Sequence, residues 1–273
     1  MLATIGYRLR AERGARVPAF HGRLLHGTVF SLLADYDARL SAWIHDRMNL
    51  KPFALSLLEP VQEKPDSKQR RGKNWFFIEQ GREYLWRLSA LREEVLQALL
   101  AVRPGTVLAV GEAELCVEEV IDDGRFRTGY ARPEEILGGA FSVGSVQEIA
   151  FSFRSPTTFR NFDRDYAFPL PELVFGSLAD KWTGAEMPGD IERDRIARLA
   201  SALAPVCWSG RSQKVFLGRK RGLLAFTGKF AYDTSILSHE EQSILLALAQ
   251  FAEFSGIGRL TAQGLGQTEM EFS

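Results

Sequence analysis

The residues best suited by type and spacing to do chemistry lie in GIGRLTAQGLG, Gly256 to Gly266, where two Gly-x-Gly pairs stand five residues apart. Glycine gives up the most backbone entropy on ordering, so four of them this close together imply a close approach to the main chain. Without a Cβ, successive N–H groups can form a nest for an anion, and Arg259, Thr261 and Gln263 add donors within the same stretch. A plain helix-to-strand turn needs one or two glycines. Gly256, Gly258, Gly264 and Gly266 are therefore expected to present their backbone to a phosphate-like group.

The charge pattern points the same way. Lysine and arginine balance aspartate and glutamate at 34 each, but they are segregated. Arg211 to Lys229 carries Arg211, Lys214, Arg219, Lys220, Arg221 and Lys229 with no acidic residue. KPDSKQRRGK, Lys64 to Lys73, holds Arg70 and Arg71 among five basic residues against one aspartate. EAELCVEEVIDDG, Glu112 to Gly124, has six acidic residues and no basic one. A polyanion responds to the local field, so a neutral protein can bind one on a single face.

The elements that must position these residues read as two similar halves. TIGYRLRAE alternates as a strand, and the apolar positions between His21 and Asp46 fall at helical spacing, with a break near Asp35 to Asp37. FALSLLEP, NWFFIEQ and REYLWRLSA read as strands, SALREEVLQALLAV as a helix closed by Pro104-Gly105, and VLAVGEAELCVEEVI as a strand. The second half repeats the order. VQEIAFSFRSPTTF reads as a strand ending in a turn at Ser155-Pro156. LPELVFGSLADKW and DIERDRIARLASAL follow as helices, QKVFLGRK and GLLAFTGKFAYD as paired strands, and QTEMEFS as a closing strand. Ser238 to Glu241 forms a capping box that opens the last helix. The expected fold is α+β, two tandem ferredoxin-like domains with antiparallel sheets, over residues 1–125 and 126–273.

The same pass excludes several classes. The glycine stretch runs from helix to strand, the reverse of a Rossmann or Walker loop, and no Gly-Lys-Ser/Thr follows, so no nucleotide cofactor is expected. Cys116 and Cys207 are too few for a disulfide framework, and Asp163 and Asp165 lack a nearby histidine, so no metal is expected. MLATIGYRLRAERGARV is interrupted by charges and no run of eighteen apolar residues occurs, which makes a cytoplasmic location the expectation.

Beyond these readings, the sequence resembles a known family. Gly-apolar-Gly, five residues, Gly-apolar-Gly looks like the signature of the CRISPR-associated repeat-RNA endoribonucleases, the Cas-six family of the RAMP superfamily. VPAFHGRLLHGTVFSLLADYDARLSAWIHDRMNLKPFALSLLE is similar to that family's first helical region, where a histidine ends a helix and a basic residue leads into Phe-x-x-Ser-Leu. Those residues are His45 and Lys51 here. FSFRSPTTF, FPLPELVFGSL and GLLAFTGKFAY resemble stretches of bacterial members.

The resemblance implies a protein with RAMP/RRM-like units that cuts precursor CRISPR RNA within its repeats, without metal. Its implied partner is repeat RNA, with a CRISPR effector complex and a homodimer as further associations. Such cleavage uses the RNA's own 2′-hydroxyl. It needs a base for that hydroxyl, an acid for the 5′-oxygen and positive charge beside the phosphorane. Histidine serves either proton-transfer role and lysine supplies charge. Many members carry a tyrosine where this chain has Phe30; His26, one turn earlier on nearly the same face, is the candidate replacement. The catalytic candidates are thus His45, His26 and Lys51. The RNA-binding candidates are Gly256, Gly258, Arg259, Gly264, Gly266, Lys214, Arg219, Lys220, Arg221, Arg70 and Arg71. His21 is expected to shape the helix entrance and His239 to be exposed. The alternative function is a non-catalytic RAMP-type RNA-binding subunit, which would keep the basic strands but not need the histidines. An unrelated phosphate-binding enzyme finds no nucleophile or metal motif.

Overall fold

A computed structural model describes residues 1–62, 74–217 and 222–273, the side chain at position 47 excepted. Arg70, Arg71, Arg219, Lys220 and Arg221 lie outside the described residues.

The chain divides into two compact units, Leu2–Tyr130 together with Phe216 and Leu217, and Ala131–Val215 with Gly222–Ser273. The N-terminal unit runs β1 (Leu2–Arg13), β2 (Ala15–Pro18), α1 (Gly22–Tyr36), α2 (Ala38–Arg47), β3 (Phe53–Leu55), β4 (Glu59–Pro60), β5 (Trp75–Ile78), β6 (Glu83–Ala90), α3 (Glu93–Ala101), β7 (Val107–Val110), β8 (Ala113–Ile121) and β9 (Gly129–Ala131). The C-terminal unit runs α4 (Pro133–Ser142), β10 (Glu148–Thr157), β11 (Phe159–Asn161), β12 (Arg164–Tyr166), α5 (Pro171–Gly184), α6 (Arg193–Ala200), β13 (Ala204–Phe216), β14 (Gly222–Asp233), α7 (His239–Ser255) and β15 (Thr268–Phe272).

The first sheet is ordered β3-β6-β1-β8-β7 and the second β13-β14-β10-β15. In the first, β1 lies between β6 and β8, and in the second β10 lies between β14 and β15, with helices on the crossovers. That is the ferredoxin-like order, and the β1–β6, β1–β8, β10–β14 and β10–β15 ladders are antiparallel. The acidic run finds its partners here. Glu114, Glu118 and Glu119, on β8, pair with Arg13, Arg10 and Arg8 on the neighbouring β1. Such part-exposed pairs contribute about 0–1 kcal/mol each, and opposite charges facing across a ladder favour its register.

Tyr7 and Trp86 are fully buried in the first core, where the Tyr7 hydroxyl donates to the carbonyl of Leu99 at 2.7 Å. Leu25, Val29, Leu32 and Leu33 form the buried stripe of α1. His26 and Phe30 lie beside that stripe and are half-buried. The expected break falls at Asp37, whose extended backbone ends α1 and whose carboxylate caps α2 by accepting from the Arg39 and Leu40 amides.

Several elements differ from expectation. FALSLLEP is two short strands, because the Leu58 amide leaves the ladder to donate to Nε2 of His21. NWFFIEQ forms β5, which pairs with β2 as a separate ribbon. VLAVGEAELCVEEVI folds back at Gly111, φ +63°, into β7 and β8. Asp122 to Gly139, which spans the expected boundary between residues 125 and 126, contains β9 and most of α4, which opens on Pro133 and packs against α7. β10 continues past Ser155-Pro156 to Thr157 by way of a register shift after Phe153.

Candidate active site

Helix α1 and the end of α2 bring three aromatic rings to one place. The Phe30 ring meets His26 edge-on at 4.9 Å between centroids and His45 edge-on at 5.3 Å. Phe53, at the start of β3, closes the other side, 5.8 Å from Phe30 and 5.7 Å from His26. Helical spacing explains the first contact, since positions 26 and 30 are one turn apart. The Asp37 break explains the second by folding α2 back on α1, where Ser41 Oγ donates to the Phe30 carbonyl. Phe30 cannot move a proton, yet it is the wall against which both imidazoles rest.

His45 lies in the last turn of α2 with its side chain 68% exposed, and its Nδ1 is 2.9 Å from an Asp46 carboxylate oxygen. A carboxylate only accepts, so Nδ1 carries the proton. The neutral ring then has its lone pair on Nε2. Lys51 reaches back to the same helix end, where Nζ donates to the carbonyls of Ile44, His45 and Met48 at 2.9, 2.9 and 2.7 Å. It therefore holds carbonyls that the helix itself leaves open. Burial lowers the Lys51 pKa from the usual lysine value, with Asp46 acting in the opposite sense.

The other histidines do different work. His21 is the N-cap residue of α1, is buried, and stacks on Phe76 at 4.7 Å. Desolvation pushes its pKa down to about 4, consistent with a neutral ring accepting the Leu58 amide. His239 is exposed and its Nε2 is 2.9 Å from the Val143 carbonyl. Among the described residues, no three His, Cys, Asp or Glu side chains group to hold a metal ion.

The glycine stretch, in the C-terminal unit, departs from its expected geometry. All four glycines are buried, with φ of +63°, +79°, +87° and +71° at Gly256, Gly258, Gly264 and Gly266. Their amides are already donated, to the Ala252 carbonyl, Ser177 Oγ, the Thr261 carbonyl and the Pro156 carbonyl respectively. A Cβ on Gly256 would meet the Gly266 oxygen at 2.7 Å, and one on Gly258 the Thr158 oxygen at 2.5 Å. What approaches this backbone is the chain itself: the two ends of the loop against each other and against the end of β10. The expected nest of free amides is not formed, because each glycine N–H has an acceptor within the unit.

Sequence reasoning also missed what holds the loop from below. Lys181 and Ser177 lie one turn apart on α5; Ser177 accepts the Gly258 amide, and the buried Lys181 donates to the carbonyls of Ser255 at 3.3 Å and Gly256 at 2.7 Å. Desolvation lowers the Lys181 pKa to about 7. The available signal was a lysine set among the apolar positions Val174, Phe175, Leu178 and Trp182. Arg259 pairs with Asp165 at 2.7 Å, both about one-third exposed, while Arg211 and Lys214 are exposed on β13.

Comparison with known proteins places both units in one class. The sequence model of the CRISPR-associated endoribonuclease Cas6 matches residues 151–268, and that of the CRISPR Cas6 N-terminal domain matches residues 14–133. A Cas6 product complex superposes with a TM-score of 0.77 at 25% identity, covering 99% of each chain. A Cas6 substrate-mimic complex gives 0.71 at 23% identity, again over 99% of each chain. Thermus thermophilus Cas6 gives 0.70 at 24%, over 99% of this chain and 98% of that one. No curated protein sequence matches. The chain belongs to the Cas6 family of CRISPR-associated endoribonucleases. No helix among the described residues is long and apolar enough to cross a membrane.

Proposed function

We propose that this protein cleaves precursor CRISPR RNA within its repeats by attack of the 2′-hydroxyl next to the scissile phosphate, without a metal ion. The observation that carries the reading is the pair of imidazoles, His26 and His45, set against one phenyl ring at the end of α2. Neutral His45 accepts the 2′-hydroxyl proton on Nε2, the tautomer that its contact with Asp46 favours. The 2′-oxygen bonds to phosphorus, the bond to the 5′-oxygen breaks, and protonated His26 gives its proton to that oxygen. The products are a 5′-hydroxyl and a 2′,3′-cyclic phosphate. Lys51 fixes the helix end that carries His45 and places positive charge at its border.

Binding falls to the cationic side chains rather than the glycine amides. Arg211, Lys214 and Arg259, with Arg70, Arg71, Arg219, Lys220 and Arg221, supply the attraction for phosphate. The glycines act indirectly, by giving the loop that carries Arg259 its shape. The known Cas6 structures described as product and substrate-mimic complexes support this substrate class.

The test is single-turnover cleavage of repeat RNA. His45→Ala and His26→Ala should each slow it by about 10²-fold or more with RNA affinity nearly unchanged. Wild-type rates in both variants would overturn the assignment, and a wild-type rate in His26→Ala alone would make His26 a packing residue.

A further inference from the structure

The C-terminal unit holds an aromatic surface that its own core leaves uncovered. β13 is the edge strand of its sheet, bonded to β14 alone, and nearly all of its residues are exposed. Val206 and Trp208, two apart, point to one face of that strand. They are 53% and 61% exposed.

Trp208 is nonetheless held in place. Its ring lies nearly parallel to that of Phe230, at 10° and 6.2 Å, and Phe230 is buried. Phe168, itself 37% exposed, meets the two rings close to perpendicular, at 6.3 Å from Trp208 and 5.5 Å from Phe230. Two residues along from Trp208, a Cβ on Gly210 would press on the Phe230 ring at 3.2 Å and on the Thr227 oxygen at 2.8 Å. The arrangement is a fixed indole with little beside it to obstruct access.

The charge around it selects the occupant. No aspartate or glutamate occurs between Ala204 and Tyr232, while Arg211 and Lys214 are exposed on the same strand as Trp208. A second copy of this chain would bring the same cations against them. A single-stranded polyanion with flat apolar groups fits both features. We propose that Trp208, backed by Phe230 and Phe168, is a stacking platform for an unpaired nucleobase of bound RNA, with Arg211 and Lys214 taking flanking phosphates. This inference rests on the RNA-binding reading above and adds a base-contacting site to it. Any base offers a π-face, so the site would tolerate sequence while requiring an unpaired nucleotide.

The experiment compares 2′-O-methyl A8, which cannot be cleaved by 2′-hydroxyl attack, with an abasic chain of equal length. Tryptophan fluorescence should be quenched by A8 and not by the abasic chain, and Trp208→Phe should lose that quenching. Trp208→Ala should weaken A8 binding by roughly 5- to 150-fold, the equivalent of one stacked base, and Trp208→Phe by much less. The dependence of affinity on salt should keep its slope, because no charge is removed. Circular dichroism confirms that both variants fold.

If the wild type binds A8 and cleaves repeat RNA while Trp208→Ala does both equally well, this inference alone fails. If Trp208→Ala instead dissociates a dimer seen by light scattering and leaves A8 affinity unchanged, the patch is a self-association surface and the inference is wrong. A wild type that binds neither A8 nor repeat RNA overturns the RNA-binding reading as well.

Discussion

Replacing Gly266 by alanine tests whether the glycine loop is built for the chain's own backbone. Gly81 supplies the control: its φ is +75° and a Cβ there meets nothing within 4 Å, so Gly81→Ala measures conformational strain alone, about 1–2 kcal/mol. Gly266 has nearly the same φ, +71°, but its Cβ would collide with the Ile257 carbonyl and lie 2.9 Å from Thr261 Cγ2. Relief of that clash disrupts the hydrogen bonds from Ile257 N to the Gly266 oxygen and from Gly266 N to the Pro156 oxygen. Each lost bond costs about 0.5–1.5 kcal/mol, and forcing an atom into a packed site adds about 1–3 kcal/mol. Gly266→Ala should therefore destabilise by roughly 3–8 kcal/mol, a large part of the roughly 5–15 kcal/mol that holds a domain folded. Urea unfolding followed by circular dichroism gives both values. The reasoning is refuted if the two variants lose equal stability to within about 1 kcal/mol while folded Gly266→Ala has lost RNA affinity, for then the loop amides would be meeting RNA.

Two further outcomes follow from the same unit. The Lys181 pKa is about 7 in the folded protein and the ordinary, higher lysine value in the unfolded chain, so above pH 7 the unfolded state binds the extra proton. Stability should then rise with pH between about 7 and 10, by up to about 1.4 kcal/mol per unit, and Lys181→Met should flatten that rise in urea midpoints measured across the range. Replacing Arg211 and Lys214 together with alanine should shallow the log–log dependence of RNA affinity on salt by about 1–1.5, read from binding at four or more salt concentrations.

Much of the architecture was legible because it rests on periodicity and caps. Apolar spacing marked α1 and a break near Asp35 to Asp37; the structure adds that the Asp37 carboxylate caps α2 there by taking up its free amides. Ser238 and Glu241 announced α7, and both halves of that capping box are formed. The exchange of partners at Leu58 was not legible, because it depends on the imidazole of His21, which is distant in sequence. The site was legible in part. His45 and Lys51 came from resemblance, and the spacing of 26 and 30 placed His26 beside Phe30. Sequence spacing gave no sign that Lys51 would turn all its donors to the carbonyls of α2, or that Asp46 would set the His45 tautomer. In the sequence the glycines suggest a surface for a ligand, because a missing Cβ signals close approach without saying whose atoms approach. Here they belong to Thr158, Ile257 and Gly266.

The central claim is attack by the RNA's own 2′-hydroxyl, and one substituted nucleotide tests it. Repeat RNA with a single 2′-deoxy residue just upstream of the cut is incubated with the protein in EDTA, beside the all-ribose RNA. The account predicts that the all-ribose strand is cut to a 5′-hydroxyl and a 2′,3′-cyclic phosphate and that the substituted strand stays intact while binding equally well. Cleavage of the substituted strand at the same position, or loss of all cleavage in EDTA with recovery on adding a divalent metal, would contradict it.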